Sequence, residues 1–168
     1  LANNIKKLVE AAEVLRDVRH VKFLIYGDGE DREPLEKYCK EKGLENIIFK
    51  QRWVESKYVP YILSRSSLNI LNYFPNPIFR FGGSQSKSFQ YMASGKPILC
   101  NLTMGYCPIT KHNAGIAREF NDAFEYAEAI LHFVNLSAPN YEELCRNSRK
   151  LANNYDYRYL TGIFNSIL

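Results

Sequence analysis

A glycine- and serine-rich segment near the middle of the chain carries the residue types that hold a phosphate. Gly82 and Gly83 are followed by Ser84 and Ser86, and Lys87 falls in the first turn of a predicted helix. Exposed backbone N–H groups, the positive end of a helix dipole and an ammonium together attract anions. The segment therefore predicts a cradle for paired phosphates. A simpler interpretation also fits, in which a serine caps the helix and Lys87 is solvated.

A shorter glycine loop follows an apolar run at residues 21–26, which is typical of a buried strand. The run leads into Gly27, Asp28 and Gly29. Glycines allow the backbone to approach a ligand closely, so this loop fits a ligand-lining segment and a plain tight turn equally well. Because the third glycine of a dinucleotide fingerprint is missing, the pattern does not indicate NAD binding.

Arg52 and Trp53 follow a second predicted strand at residues 46–50. They could contact a nucleotide base, or they could serve as a surface arginine and a packed indole. The histidines and the four cysteines are scattered, without a carboxylate partner or metal-ligand spacing. The sequence therefore indicates no metal site, no cofactor and no identifiable catalytic residue, and it favours reduced thiols.

Apolar spacing and turn residues predict the elements around these loops. Helices are predicted from residue 5 to 15 and at 30–42, 56–64, 86–94, 122–135, 140–153 and 158–167. Strands are predicted at 21–26, 46–50, 67–71, 97–100 and 115–117. Residues 72–84 are predicted to form a long loop, and the buried face of the helix at 122–135 is assigned to Phe124, Ala127, Leu131 and Val134.

Strands that alternate with helices predict an α/β fold with a Rossmann-like open parallel sheet and helices on both faces. The whole chain, residues 1–168, is long enough for one such domain. Ligands in these folds bind at the carboxyl ends of the strands. Because the chain begins without Met and almost directly with a helix, we expect a first strand to lie upstream, in a longer protein.

The composition narrows the class of partner. The net charge of +4 is spread along the chain, which suits a small anionic ligand or peripheral contact with acidic lipid and differs from the clustered charge of a nucleic-acid-binding protein. No apolar run reaches the roughly 20 residues that span a bilayer, and no signal-peptide layout is visible. These features predict a cytoplasmic protein, with peripheral contact at the inner membrane as an option.

Several segments resemble motifs of one protein family, and they follow one another along the chain in the same order as in that family. Residues 86–98, SKSFQYMASGKPI, resemble the S-K-x-aromatic-E-Y-M-A-[AS]-G-K-P-[IV] segment of family-4-type retaining glycosyltransferases, closest to capsule, O-antigen and fucosamine transferases. The loop at Gly27, with Arg32 and Leu35, resembles the G-D-G-x-x-R-x-x-L segment of that family. Residues 113–116 resemble its small N-x-G-[IL] strand. The similarity covers about residues 3 to 165.

The resemblance implies a glycosyltransferase of GT-B architecture, with this chain as the C-terminal domain that binds a nucleoside diphosphate sugar. It implies transfer with retention to a glycan or lipid-linked acceptor held by an N-terminal domain, in bacterial surface polysaccharide synthesis. The isolated domain is then expected to be inactive. Gln90 stands where the family has a ribose-binding Glu, and Gly82 stands where many members have a second Glu. These departures keep open an inactive nucleotide-sugar-binding partner subunit, and a sugar-nucleotide 2-epimerase of the same architecture is a further alternative.

Overall fold

Helices and strands alternate along the chain, as the sequence predicts. The computed structural model describes residues 3–82 and 86–167. The α-helices are α1 Ile5–Val14, α2 Arg32–Glu41, α3 Val59–Arg65, α4 Ser86–Ala93, α5 Pro108–Lys111, α6 Ala123–Val134, α7 Ala138–Asn153 and α8 Tyr157–Asn165. The strands are β1 Phe23–Ile25, β2 Ile47–Phe49, β3 Asn69–Leu71, β4 Ile98–Cys100 and β5 Gly115–Ala117. Two 3₁₀ helices among the described residues span Ser56–Tyr58 and Pro77–Phe81.

The strands form two parallel ladders. β1 pairs with β2, with Phe23 opposite Ile47. β4 lies between β3 and β5, and Ile98 is opposite both Asn69 and Gly115. Every pairing is parallel, and each connection between strands passes through at least one helix. The predicted α/β fold with helix-flanked parallel strands is confirmed.

The apolar core stabilises a sheet whose strands are short. Ile98, Leu99 and Cys100 of β4 are completely buried, as expected for a strand covered on both faces. One apolar cluster joins α1, α6, β1 and β2 to Leu99, and a second surrounds the other side of β4 and includes Met92 of α4. The sheet is therefore held by helices on both faces, which fixes the loops at the carboxyl ends of its strands.

Helix α1 begins where its capping residue places it. The side chain of Asn4 accepts a hydrogen bond from the backbone N–H of Lys7 at 3.4 Å, which satisfies one of the unpaired donors of the first turn. Leu8, Val9 and Ala12 then bury one face of the helix. This cap defines the position of the α1 N-terminus, directly after Asn3.

The predicted buried face of α6 is partly wrong. Phe124 is 68% exposed and Val134 is 36% exposed, whereas Ala127 is buried as predicted. Tyr126 is completely buried instead, stacked on Phe120 with ring centroids 4.5 Å apart. Glu125, Glu128 and His132 share the solvent face of α6, and packing against α1 buries the opposite face.

The loop predicted at residues 72–84 contains a 3₁₀ helix at Pro77–Phe81. The Asn76 side chain accepts a hydrogen bond from the Ile78 N–H at 3.0 Å and so caps this turn. Helix α5, opened by Pro108, was missed because four residues are too few for a periodic pattern. No helix in the described ranges is long and apolar enough to cross a membrane.

Candidate functional site

The first turn of α4 meets the start of α1 across 84 residues of sequence. The ammonium Nζ of Lys87 donates a hydrogen bond to the Oδ1 of Asn3 at 3.2 Å. Lys87 as a whole is exposed. Its ammonium is partly desolvated, and this desolvation lowers the pKa of Lys87. Two helix N-termini and a cation therefore converge, which concentrates positive potential at one place.

Helix α4 turns one face to the core and another to solvent. Met92 is completely buried, and the ring of Phe89 lies 4.8 Å from that of Tyr155. On the exposed side, Lys87 and Gln90 are three residues apart and share a face. Among residues 3–82 and 86–167, no hydrogen-bond partner is seen for the Gln90 side-chain amide. A ligand on this face would find the Gln90 amide exposed and would meet the Lys87 ammonium where it now bonds to Asn3.

Gly82 adopts a backbone conformation that other residues rarely take. Its φ is +101° and its ψ is 176°, and a Cβ atom added there would lie 3.4 Å from the Cβ of Tyr106. The glutamate that many relatives carry at this position would be strained here. Gly83 and Ser84, the neighbours predicted to hold phosphate, lie outside the described residues. Ser86 is the first residue of α4 and is exposed.

The loops that follow β1 and β2 are linked by ion pairs. The Arg52 guanidinium lies 3.2 Å from the Asp28 carboxylate and 3.0 Å from the Glu33 carboxylate. The hydrogen bond to Glu33 and the charge of Asp28 raise the pKa of Arg52. The Asp28 Oδ1 also accepts a hydrogen bond from the Gly29 N–H at 3.0 Å. The structure thus brings Gly27, Asp28 and Gly29 next to Arg52, as a shared binding surface requires.

Trp53 is 74% exposed, so the packed-indole interpretation is wrong. Its ring stands free beside the loop of Arg52, where a planar base could stack on it. Tyr73, by contrast, is buried in the second apolar cluster, and Phe79 packs against that cluster. Tyr73 and Phe79 are therefore structural, whereas Phe74 and Phe81 of the same loop are exposed.

A cavity of about 240 Å³ opens beside Gly82 at the start of α4. Its walls are mostly aromatic, and they consist of Phe81, Gly82, Ser88, Phe89, Tyr106, Pro108 and Tyr155. A larger cavity of about 370 Å³ lies between α2 and β2, against Cys39, Leu44 and Ile47. The larger one faces the side of α2, whereas the smaller one adjoins the start of α4 and is the better candidate for a ligand-binding cavity.

Arg32 is the one functional residue of this region that sequence reasoning did not assign. Its side chain is only 9% exposed and reaches the loops that follow β1 and β2. Its sequence signal was its place three residues after Gly29, in the segment that resembles G-D-G-x-x-R-x-x-L, and that resemblance gave it no role. Within the described part of the chain, no group of three His, Cys, Asp or Glu side chains could hold a metal ion.

Comparison with known proteins identifies the family. The profile of the family described as glycosyl transferases group 1 matches residues 2–151. The chain belongs to the glycosyl transferases group 1 family. A search of curated protein sequences gives no significant match.

Solved structures of other glycosyltransferases share the fold. TarM of S. aureus, crystallised with fondaparinux, α-GlcNAc-glycerol and UDP, is 22% identical with a TM-score of 0.75, over 98% of this chain and 33% of that one. A Rickettsia africae glycosyltransferase is 17% identical with a TM-score of 0.79, over 99% of this chain and 44% of that one. The C-terminal domain of LpcC from Francisella tularensis is 17% identical with a TM-score of 0.72, over 91% of this chain and 79% of that one.

The fold therefore matches one half of a GT-B glycosyltransferase, and the chain spans about a third of the length of TarM. In this group 1 domain the candidate site residues follow the carboxyl ends of parallel strands. In α/β folds, ligands bind at the carboxyl ends of the parallel strands. Asp28 and Arg52 follow β1 and β2, and Lys87 and Gln90 belong to the helix after β3.

Proposed function

We propose that this chain is the donor-binding half of a glycosyltransferase that moves a sugar from a nucleoside diphosphate sugar to a hydroxyl acceptor. The observation that carries the proposal is the contact between Lys87 and Asn3. It supports the proposal because the Lys87 ammonium and the first turns of α1 and α4 would together stabilise the charge that builds on a leaving diphosphate. Backbone N–H groups at residues 82–87 would add to this stabilisation.

The remaining parts of the donor have candidate partners around this point. Gln90 is one turn along the exposed face of α4 from Lys87, within reach of the ribose hydroxyls. The loops of Gly27 and Arg52, with the exposed ring of Trp53, provide the surface for the base. The aromatic walls of the 240 Å³ cavity beside Gly82 suit the apolar face of a sugar ring.

The two ladders of the sheet support the proposal that the domain includes one more strand. The doubly wound order 3-2-1-4-5-6 places the first strand at the centre, between the second and the fourth. Here β2-β1 and β3-β4-β5 match the two outer groups of that order, and the described residues contain no strand between them. A strand upstream of Leu1 would join the ladders and lead into α1.

The family resemblance adds finer proposals. Transfer would retain the anomeric configuration, and the product would be a bacterial surface polysaccharide. The acceptor, a glycan or a lipid-linked sugar, would be bound by an N-terminal domain. The reaction would take place in the cytoplasm, at the inner face of the membrane for a lipid-linked acceptor.

Nuclear magnetic resonance titration tests the donor site directly. Nucleoside diphosphates, with UDP, GDP and dTDP as the probes, should shift the backbone amide signals of residues 27–29, 51–54 and 82–90, because these segments surround the proposed ligand. Amides of α7, such as that of Lys150, serve as the internal control and should not move. Saturating nucleotide that leaves all three segments unshifted would contradict the donor-site proposal.

Gln90→Glu is expected to tighten nucleoside diphosphate binding about fivefold to thirtyfold, since a carboxylate accepts stronger hydrogen bonds from ribose hydroxyls than an amide does. Isothermal titration calorimetry with UDP measures the change. The gain should vanish for 2′,3′-dideoxyuridine diphosphate, which lacks those hydroxyls. An unchanged or weaker affinity for UDP would show that Gln90 does not contact the ribose.

One observation favours a second candidate, a nucleotide-sugar-binding partner subunit without catalytic activity. The positive φ of Gly82 would strain a glutamate at this position, where the family resemblance leads us to expect one. A panel of donor sugars assayed with the full-length protein separates the two functions. Sugar transfer or acceptor-independent turnover indicates an enzyme, and donor binding without turnover indicates the partner subunit.

A further inference from the structure

The buried guanidinium of Arg32 joins the two loops that border the proposed base-binding surface. Its N–H groups donate to the carbonyl oxygen of Gly27 and, at 2.6 Å, to that of Lys50. The Nε donates to the Oε1 of Glu36 at 2.7 Å. The guanidinium carbon lies 5.5 Å from the centre of the Phe49 ring. One side chain thus contacts the ends of both β1 and β2.

These contacts extend the strand pairing into the loops. The β1–β2 ladder ends at Ile25 and Phe49, and the Gly27 N–H donates to the Gln51 carbonyl at 3.1 Å just beyond it. The Gly27 and Lys50 carbonyls would lose their partners if Arg32 were absent. The Gly27 carbonyl is partly buried and the Lys50 carbonyl is exposed, so water would replace the guanidinium and one side chain would no longer hold the two loops together. The guanidinium therefore sets the distance between the loops of Asp28 and Arg52.

The three contacts of Arg32 require a guanidinium, and an ammonium cannot replace it. A guanidinium has five N–H donors in fixed directions, so it can bind two carbonyls and a carboxylate at once while lying flat on a ring. A lysine ammonium has three donors on a flexible stem and cannot reproduce this arrangement. With 9% of its side chain exposed, Arg32 lies beneath the surface and has little area with which to touch a ligand.

We propose that Arg32 is a positioning residue for the nucleoside part of the donor. It holds the Gly27 and Lys50 carbonyls so that the loops after β1 and β2 form the base-binding surface. This inference rests on the proposed function of the domain. The proposed site then has two halves. The diphosphate half at Lys87 does not depend on Arg32, whereas the nucleoside half does.

Arg32→Lys tests this separation with two probes, UDP and inorganic pyrophosphate. We expect the dissociation constant for UDP to rise about tenfold, in line with the loss of one or two charge-assisted hydrogen bonds that order the loops. The constant for pyrophosphate should stay within about twofold of the wild-type value, because pyrophosphate needs only the Lys87 region. Arg16→Lys is the matched control, since Arg16 also pairs with a carboxylate, Glu13 at 2.9 Å, but lies away from the loops.

Glu36→Gln provides a second variant if Arg32→Lys does not fold. It removes one anchor of the guanidinium at a partly exposed position, and it should weaken UDP binding about threefold with pyrophosphate binding unchanged. Equal affinities of variant and wild type for UDP, or a parallel loss for UDP and pyrophosphate, would overturn the inference. A wild-type protein that binds neither probe would instead overturn the proposed function, and this inference with it.

Discussion

Replacement of Gly115 by alanine is expected to destabilise the protein by about 3 kcal/mol or more, in the range of severe packing and backbone defects. Gly115 opens β5 with a φ of +155°, and a Cβ atom there would lie 1.8 Å from the carbonyl oxygen of Ile98. The clash is with backbone, so no side-chain movement relieves it. Only a shift of β5 away from the buried strand β4 can do so, and that shift breaks the ladder.

Urea unfolding of Gly115→Ala and the wild type measures this effect as a change in midpoint at constant slope. Gly29→Ala is the matched control, because its Cβ atom would meet nothing within 4 Å; its free energy of unfolding should change by less than about 0.5 kcal/mol. A loss below about 1 kcal/mol for Gly115→Ala would show that β5 is not packed against β4 as described.

The fold was predictable because each of its signals is local. A buried strand reads as a short apolar run, and a helix start reads as a capping residue before a periodic pattern. Asn4 and Asp122 both cap the helices that follow them, and the Asp122 side chain accepts from the Glu125 N–H at 2.8 Å. Neither signal depends on the rest of the chain. The order of elements, and with it the parallel sheet, follows from such signals alone.

The phase of α6 was not predictable in this way. Phe124 and Tyr126 are both aromatic, and their residue types alone do not distinguish them. The structure does so through distant partners: Tyr126 stacks on Phe120, and its hydroxyl donates to the Oδ1 of Asn72 at 2.6 Å. Burial of Tyr126 is therefore a tertiary effect.

The candidate site, like the fold, was predictable only where its signals are local. The glycines and Lys87 were recognisable because loops between a strand and a helix have their own residue types. The contacts that make them a site were not recognisable, since Lys87 meets Asn3 and Arg52 meets Asp28 across long stretches of sequence. Arg32 shows the limit most clearly. An arginine in the first turn of a helix is usually solvated, and only its burial between two loops identifies its role.

Lys87→Met is expected to weaken the binding of both UDP and inorganic pyrophosphate about tenfold to a hundredfold, the usual effect of losing one charge-assisted hydrogen bond to an anion. Methionine keeps the length and apolar stem of the side chain, so α4 should remain folded. Calorimetric titration with each probe measures the loss. Lys150→Met, at an exposed position of α7, makes the same change in net charge away from the site and should leave both affinities unchanged.

The pH dependence of binding gives this prediction a second readout. The pKa of Lys87 lies below the ordinary value of 10.5 because the ammonium is desolvated. A bound diphosphate stabilises the charged form and raises the pKa again, so affinity is full below the pKa of the free protein and falls as the pH rises through it. Wild-type affinity for pyrophosphate should therefore decline at a lower pH than an ordinary lysine would allow, and Lys87→Met should lack that decline. Equal affinity and equal pH profiles in variant and wild type would place the diphosphate elsewhere, because an ammonium that neither binds nor titrates with the ligand cannot neutralise its charge.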